Sequence, residues 1–465
     1  MRKRKEKDSL GYVEIPEEVY FGAQTQRAVN NFPISGLKIH TYMIESYAYI
    51  KKAAAQANMQ LGALDKRTGN AIVKACDEIL AGKLSDNFVV DVFQAGAGTS
   101  QHMNMNEVIA NRAAEILGSK KGDQSLVSSN DHVNTGQSTN DTYPTAMRIS
   151  TLCLLNELLP VIEELYISFN LKAKEFRKVV KSGRTHLQDA APVTLGQEFS
   201  GFADVVKQHH RLINESKKEL LVLGIGGTAV GTGMNTHPEY AEKITKNLSK
   251  LTGLKLKPAS NNFSSMQSMY AFTHVSSMVK NFCTDLTKIA NDIRLLASGP
   301  TSGFYEIILP PVQPGSSIMP GKFNPSMAEM INMVCFQVMG CDYTITLASQ
   351  AGQLELNVMM PVIAFNILFA FEILKNALKV FNEKCVKGIT ANEEKCRYYA
   401  ENSISIITAL NPVIGYLKAA EIAEDAVKSG KSIIETIKER NIISKEQLKE
   451  LQDVLKLTKP STIEK

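Results

Sequence analysis

The stretch that decides the fold is Val358–Phe371, VMMPVIAFNILFAF, and its flanks. From Gln353 to Lys387 the chain holds no glycine and one proline, and Leu354, Val358, Val362, Phe365, Phe369 and Ile373 recur at three- and four-residue steps. That period is helical. From Val362 to Ala370 only Asn366 interrupts apolar side chains, so the helix is expected to be buried on every side. Pro361 is expected to kink it without ending it. Working outward, Thr145–Ser182 and Asn262–Ser298 also lack glycine and carry at most one proline each. Such spans are too long for strands of about 5 to 6 residues. The expectation is an all-α fold in three parts: an N-terminal helical domain over 1–135, a central long-helix bundle over 136–390, and a small C-terminal helical domain over 391–465.

Size agrees with this, since 465 residues correspond to roughly three units of about 150. The net charge of +5 hints at nucleic acid, but Arg2, Lys3, Arg4, Lys5 and Lys7 against Glu6 supply +4 of it. The basic run reads as a solvated, disordered end rather than an address or a nucleic-acid arm. Seven cysteines form no CxxC pair and sit mostly in helical patterns, which suits reduced, buried thiols in a cytoplasmic protein. No metal and no cofactor are expected. The apolar run falls short of the ~20 residues of a membrane span, and no signal-peptide pattern precedes it.

Four polar segments interrupt the helical pattern: QAGAGTS (94–100), TGQSTND (135–141), GRTHLQD (183–189) and GSSIMPGKFNP (315–325). Each of the first three precedes a helical run, where backbone N–H groups and the helix dipole hold anions. Taken singly, Ser138, Thr139 or Asn140 would cap a helix with or without a ligand. The fourth reads as a mobile loop: Ser316 and Ser317 can close over a ligand, Pro320 and Gly321 set a turn, and Lys322 and Asn324 supply a charge and hydrogen bonds for a carboxylate. Together the segments describe a pocket for a small dicarboxylate. Of eight histidines, His186 follows Thr185 at a loop junction and is the candidate for chemistry. His40, His132, His209, His210, His237 and His274 read as structural. Gly224, Gly226 and Ala229 imitate a dinucleotide fingerprint, but no second strand is expected near Glu242, so these glycines read as a tight loop.

In order and spacing, GSSIMPGKFNP, GRTHLQD, QSTND, AGAGTS with MNMNEV, and GTAVGTG resemble the aspartase and fumarase superfamily. The resemblance runs from Tyr20 to the GITANEE segment at Gly388–Glu394. It implies a homotetramer whose central helices join in one multi-helix core, with each active site shared among three subunits. It also implies site roles. Thr99, Ser138 and Thr139 would hold one carboxylate of the substrate, and Thr185, Lys322 and Asn324 the other. Asn140 and His186 would face the amino group, Ser316 would be the base, and His186 with Glu329 would form the pair that fumarases use to handle water. Aspartate ammonia-lyases are similar in GTS (98–100), STN (138–140) and AGQLELNV (351–358). Fumarases are similar in GIGGTAVGTG and NTHPEY (235–240), which keeps a fumarate hydratase open as the alternative. More remote are an NAD-dependent dehydrogenase and a non-catalytic protein of the same fold. His102, Thr301 and Met360 depart from the residues common in the superfamily.

Overall fold

The computed structural model describes residues 2–463. The chain opens with β1 (Lys3–Asp8) and β2 (Gly11–Pro16), then α1 (Ala23–Asn31), α2 (Thr41–Gln60), α3 (Lys66–Leu80), α4 (Thr99–Ile116) and α5 (Thr139–Glu175). A hairpin of β3 (Val180–Thr185) and β4 (Gln188–Thr194) leads to α6 (Leu195–Ser216), β5 (Val222–Leu223), α7 (Tyr240–Thr252) and β6 (Lys257–Pro258). Next come α8 (Asn262–Gln267), α9 (Tyr270–Leu296), β7 (Ile307–Ile308), α10 (Ser326–Gln350), α11 (Met360–Lys384) and β8 (Thr390–Ala391). The C-terminal helices are α12 (Glu393–Asn402), α13 (Asn411–Ile414), α14 (Tyr416–Ser429), α15 (Ile433–Arg440) and α16 (Lys445–Gln452). Among the described residues, the strands make only two-stranded pairs, so helix packing carries the fold.

Contacts gather into two compact units. One joins the chain through Leu159 with Arg211–Asn281 and Phe336–Leu374; the other joins Pro160–His210, Phe282–Cys335 and the chain from Lys375 onward. In the first, α2 packs on α3 and α7. Fully buried Ala53, Ala54 and Ala57 let the backbones approach closely. In the second, Phe199 is fully buried among Phe169, Phe176 and Phe202, at ring-centre distances of 6.1, 5.3 and 5.4 Å. The C-terminal helices close their own core around Ile406, Leu410, Ile422, Ile437 and Leu451.

Several expectations are corrected. The basic N-terminus is the paired hairpin β1–β2. Lys3, Lys5 and Lys7 face solvent while Arg4 and Glu6 turn inward and pair at 2.8 Å. Arg4 also donates to the carbonyls of Pro16, Val19 and Phe21. A charged strand with period two was misread as a solvated run, because its inward charges are satisfied by each other and by the backbone. The helix expected over Thr145–Ser182 stops at Glu175, and GRTHLQD lies in the β3–β4 hairpin instead of ahead of a helix. Asn262–Ser298 is broken between α8 and α9. Pro361 does not kink a longer helix; it lies in the first turn of α11, where its missing N–H has no helical partner to lose. Leu354, 84 % exposed with φ 50°, lies outside the helix.

Within α11, Ile363, Ile367, Leu368 and Phe371 are buried, whereas Phe369 on the quoted stripe is 38 % exposed. The segment Met360–Gly388 is long and apolar enough by composition to cross a membrane, contrary to the length argument above, but 67 % of its apolar window is buried inside the fold. A core helix has the same composition. All seven cysteines are free, and all but Cys153 are buried.

Candidate active site

The residues singled out by sequence fall into two sets, one on each compact unit. On the first unit, α4 begins at Thr99 behind Gly98, whose φ of 86° is left-handed and whose missing Cβ leaves room for the Tyr143 ring. Only glycine meets both demands. Tyr143 in turn donates to Gln101 Oε1 at 2.9 Å, tying the Thr99 loop to the start of α5. There Ser138 Oγ accepts from Asn140 N at 3.2 Å, and Thr139 Oγ1 lies 2.7 Å from His102 Nδ1. Asn140 Nδ2 donates to the Ala229 carbonyl at 2.7 Å.

Asp141 fastens this cluster. Its buried carboxylate accepts from Ser138 N (3.0 Å), Gly226 N (3.0 Å) and Thr228 N (2.9 Å). Burial raises its pKa to about 6 despite these donors. The glycine-rich segment is therefore a backbone cradle for Asp141, as the tight-loop reading expects. A Cβ on Gly226 would meet that of Ala241 at 2.7 Å. A second strand does exist, contrary to expectation, but β5 and β6 have two residues each and build no nucleotide-binding sheet.

On the second unit, Thr185 and His186 are exposed at the tip of the β3–β4 hairpin. His186 (φ 55°) and Leu187 (φ 60°) both adopt left-handed backbone, which non-glycine residues tolerate at a cost. The hairpin is anchored behind the tip. Arg184 donates to both carboxylate oxygens of fully buried Glu306, at 2.9 and 3.0 Å, and its guanidinium carbon lies 4.1 Å from the Phe304 ring centre. Lys181 adds a second ion pair to Glu306 at 3.2 Å.

The loop Gly315–Pro325 is closed by Gly315 N on the Lys322 carbonyl at 2.8 Å and Asn324 Nδ2 on the Gly315 carbonyl at 2.7 Å. Gly315 packs against the backbone of Lys322 and Asn324, leaving no room for a Cβ. Ser316 Oγ accepts from Ile318 N (3.2 Å) and Met319 N (2.9 Å). Ser317 and Lys322 are exposed, and Glu329 lies in the first turn of α10. Met319, Lys322, Phe323 and Asn324 line a cleft of about 830 Å³ with Arg294 and Tyr305.

The structure thus joins Thr99, Ser138, Thr139 and Asn140 in one cluster, and Ser316, Ser317, Lys322 and Asn324 in another. Among the described residues, no hydrogen bond or ion pair links Thr185 or His186 to the serine loop or to Glu329. The structural reading of four histidines holds: His40, His132 and His237 accept local backbone N–H groups, and His209 pairs with Asp285. Sequence reading missed Lys51, Asp141 and the Glu306 ion cluster. A lysine inside an alanine-rich helix was the available signal for Lys51, since Lys52 beside it reaches Asp77 at the surface.

The lyase family model matches residues 11–340, and the fumarase C C-terminus model matches residues 406–459. The chain belongs to the aspartase and fumarase superfamily. Within it, the aspartate ammonia-lyase of Bacillus subtilis is 50% identical over 457 residues, covering 98% of this chain and 96% of that protein. The class II fumarate hydratase of Campylobacter jejuni is 46% identical over 461 residues, covering 99% and 100%. Among solved structures, a fumarate lyase:delta crystallin from Brucella melitensis bound to cobalt matches with a TM-score of 0.96 and 46% identity over 99% of this chain and 100% of that one. As a superfamily member the chain is a lyase, and the two activities named among its relatives break carbon–nitrogen and carbon–oxygen bonds respectively.

Proposed function

We propose that this chain is an aspartate ammonia-lyase, converting L-aspartate reversibly to fumarate and ammonia. The difficult step removes a proton from the carbon beside a carboxylate that is already negative. Electrons from the broken C–H bond first load that carboxylate as an aci-carboxylate, then form the C=C bond as the C–N bond breaks and ammonia leaves. Thr99, Ser138 and Thr139 hold the carboxylate that takes the extra charge, by preorganised donors. Thr185, Lys322 and Asn324, with Ser317 at the loop, hold the other carboxylate, while Asn140 and His186 face the amine.

The observation that carries this chemistry is at Ser316. Two backbone N–H groups point at its Oγ, so they stabilise the alkoxide more than the hydroxyl and favour the basic form. Loop closure then removes competing water. For the substrate, both triplets that resemble ammonia-lyases, Gly98–Ser100 and Ser138–Asn140, sit in the one cluster tied together through Tyr143. Fumarate hydratase is the second reading, favoured by the Gly224–Gly233 loop and the Campylobacter relative. In that reaction His186 with Glu329 would handle water.

The same reading includes a cytoplasmic homotetramer with shared sites and the three-part division of the chain at 135 and 390. Support for self-association comes from α10, where Phe336, Tyr343 and Leu347 expose 58, 66 and 44 % of their surface along one helical face. Fumarate absorbance measured from aspartate and from malate tests the proposal. Turnover of aspartate without malate is the expected result, and the reverse makes the chain a hydratase.

A further inference from the structure

Behind the substrate-facing side of α5 lies a buried polar chain that the mechanism above does not use. Lys51 Nζ, on α2, is 2.6 Å from His102 Nε2, 2.8 Å from Gln137 Oε1 and 3.1 Å from Asn134 Oδ1. His102 Nδ1 continues to Thr139 Oγ1 at 2.7 Å. Lys51 is fully buried, His102 is 1 % exposed, and the Tyr47 ring stacks on the imidazole at 5.8 Å between centres. The two amides are oriented independently of Lys51. Asn134 Nδ2 donates to the Gln137 carbonyl, and Gln137 Nε2 to the carbonyls of Val133 and Thr135, so both amide oxygens must turn toward the amine.

Hydrogen counting then gives the chain a direction. Burial and the neighbouring Lys51 charge hold the His102 pKa well below the usual value, so the ring is neutral and carries one N–H. A charged Lys51 has three hydrogens and three acceptors: two amide oxygens and Nε2. The ring hydrogen is then on Nδ1 and points at Thr139 Oγ1, which leaves the hydroxyl hydrogen of Thr139 directed away from His102. A neutral Lys51 has two hydrogens for the two amides and a lone pair toward Nε2. The ring hydrogen moves to Nε2, Nδ1 takes the hydroxyl hydrogen, and Thr139 presents a lone pair outward.

We propose that Lys51 and His102 are positioning residues that polarise Thr139, holding its hydroxyl as a donor toward a substrate carboxylate while Lys51 is charged. This rests on the reading above that Thr139 touches the carboxylate. The pair tunes dicarboxylate affinity without touching the substrate. His102 becomes the link between a buried charge and the binding cluster.

The test uses the full-length enzyme in its native assembly, with L-aspartate kinetics and succinate as a competitive probe lacking an amine. His102→Met removes the relay and should raise KM and the succinate inhibition constant about tenfold with kcat little changed. His102→Gln, with one acceptor and one donor, should restore both to within about threefold. Thr139→Val should raise KM similarly, and combining it with His102→Met should add nothing further, since both act through one hydroxyl.

Additive losses, or a normal KM in folded His102→Met with Thr139→Val impaired, would overturn the relay alone. A normal KM in Thr139→Val would overturn the substrate contact and the relay with it. Should His102→Met not fold, the wild-type pH profile decides. Lys51 is lowered by burial to about 7. The charged and titratable groups acting on it are Asp141, raised to about 6, and Cys76, raised to about 12; Tyr47 on His102, Tyr143 beside Tyr47 and Tyr240 near Asp141 are all raised by burial. Between pH 7 and 9 the amine is therefore the group in this cluster that changes charge. Succinate inhibition should weaken about tenfold across that window. A flat profile would overturn the relay.

Discussion

The two clusters that carry the candidate site residues are built in opposite ways. Around Thr99, Ser138 and Asn140, each loop is tied to another: buried Asp141 to the glycine loop, buried Tyr143 to Gln101, and half-buried Asn140 to Ala229. Around Ser316 the loop is held mainly to itself, and Ile318, Met319 and Phe323 are 83, 50 and 62 % exposed. The first is a set of polar groups held in place by other segments; the second is a surface loop whose Ser316 Oγ accepts from two backbone amides. Rigid donors pay no reorganisation when charge develops, whereas a base must be reached by substrate before water is shut out. Under the proposed function, the contrast predicts a division of labour between affinity and turnover.

The contrast breaks first at Ser316. Ser316→Ala should cut kcat by about 10³-fold or more, with KM for aspartate within a few-fold, as measured by steady-state kinetics. Near-normal turnover would remove the serine loop from the chemistry. On the rigid side, Asp141→Ala should cost about 3–5 kcal/mol of stability in denaturant titration, because three buried N–H donors lose their acceptor. A loss confined to kcat would show that the cluster is not the structural clamp described here.

Glycine substitutions sharpen the same comparison at lower amplitude. Gly98→Ala meets both a left-handed backbone and the Tyr143 ring, and should lose about 2–3 kcal/mol in thermal unfolding. Gly315→Ala disturbs a loop closed on itself, so its effect should fall on kcat, with about 1 kcal/mol or less on stability.

The last test concerns the pH dependence that Lys51 gives to stability. Its folded pKa of about 7 lies below the ordinary 10.5, so between those values the unfolded chain binds more protons and stability rises with pH. Below about 7 the penalty for burying the charge is fully present. In Lys51→Met this part of the pH dependence should vanish, a change on the order of a few kcal/mol at most across the window, read as the slope of the midpoint against pH.

Legibility followed the range of the forces involved. Long glycine-free apolar spans marked the helical class because hydrophobic period is written locally, and dense hydroxyl and amide segments marked every loop that carries a candidate residue. Ends and partners were less legible. Pro361 read as a kink because sequence does not say on which side of a proline a helix begins. Arg4 and Glu6 read as solvated because their mutual pairing needs the β1–β2 register. Lys51 drew no notice beside Lys52, because only the fold sends one to Asp77 and the other to His102.

By itself, the sequence determined the helical class, the superfamily and the residue types offered to a dicarboxylate, since these depend on periodicity and on which chemical groups stand at fixed spacing. Only the tertiary structure decided which of those groups are held rigid, that a glycine-rich segment cradles Asp141 instead of a nucleotide, and that a buried amine lies behind Thr139. Burial and hydrogen-bond direction arise between segments far apart in the chain, and no local pattern encodes them.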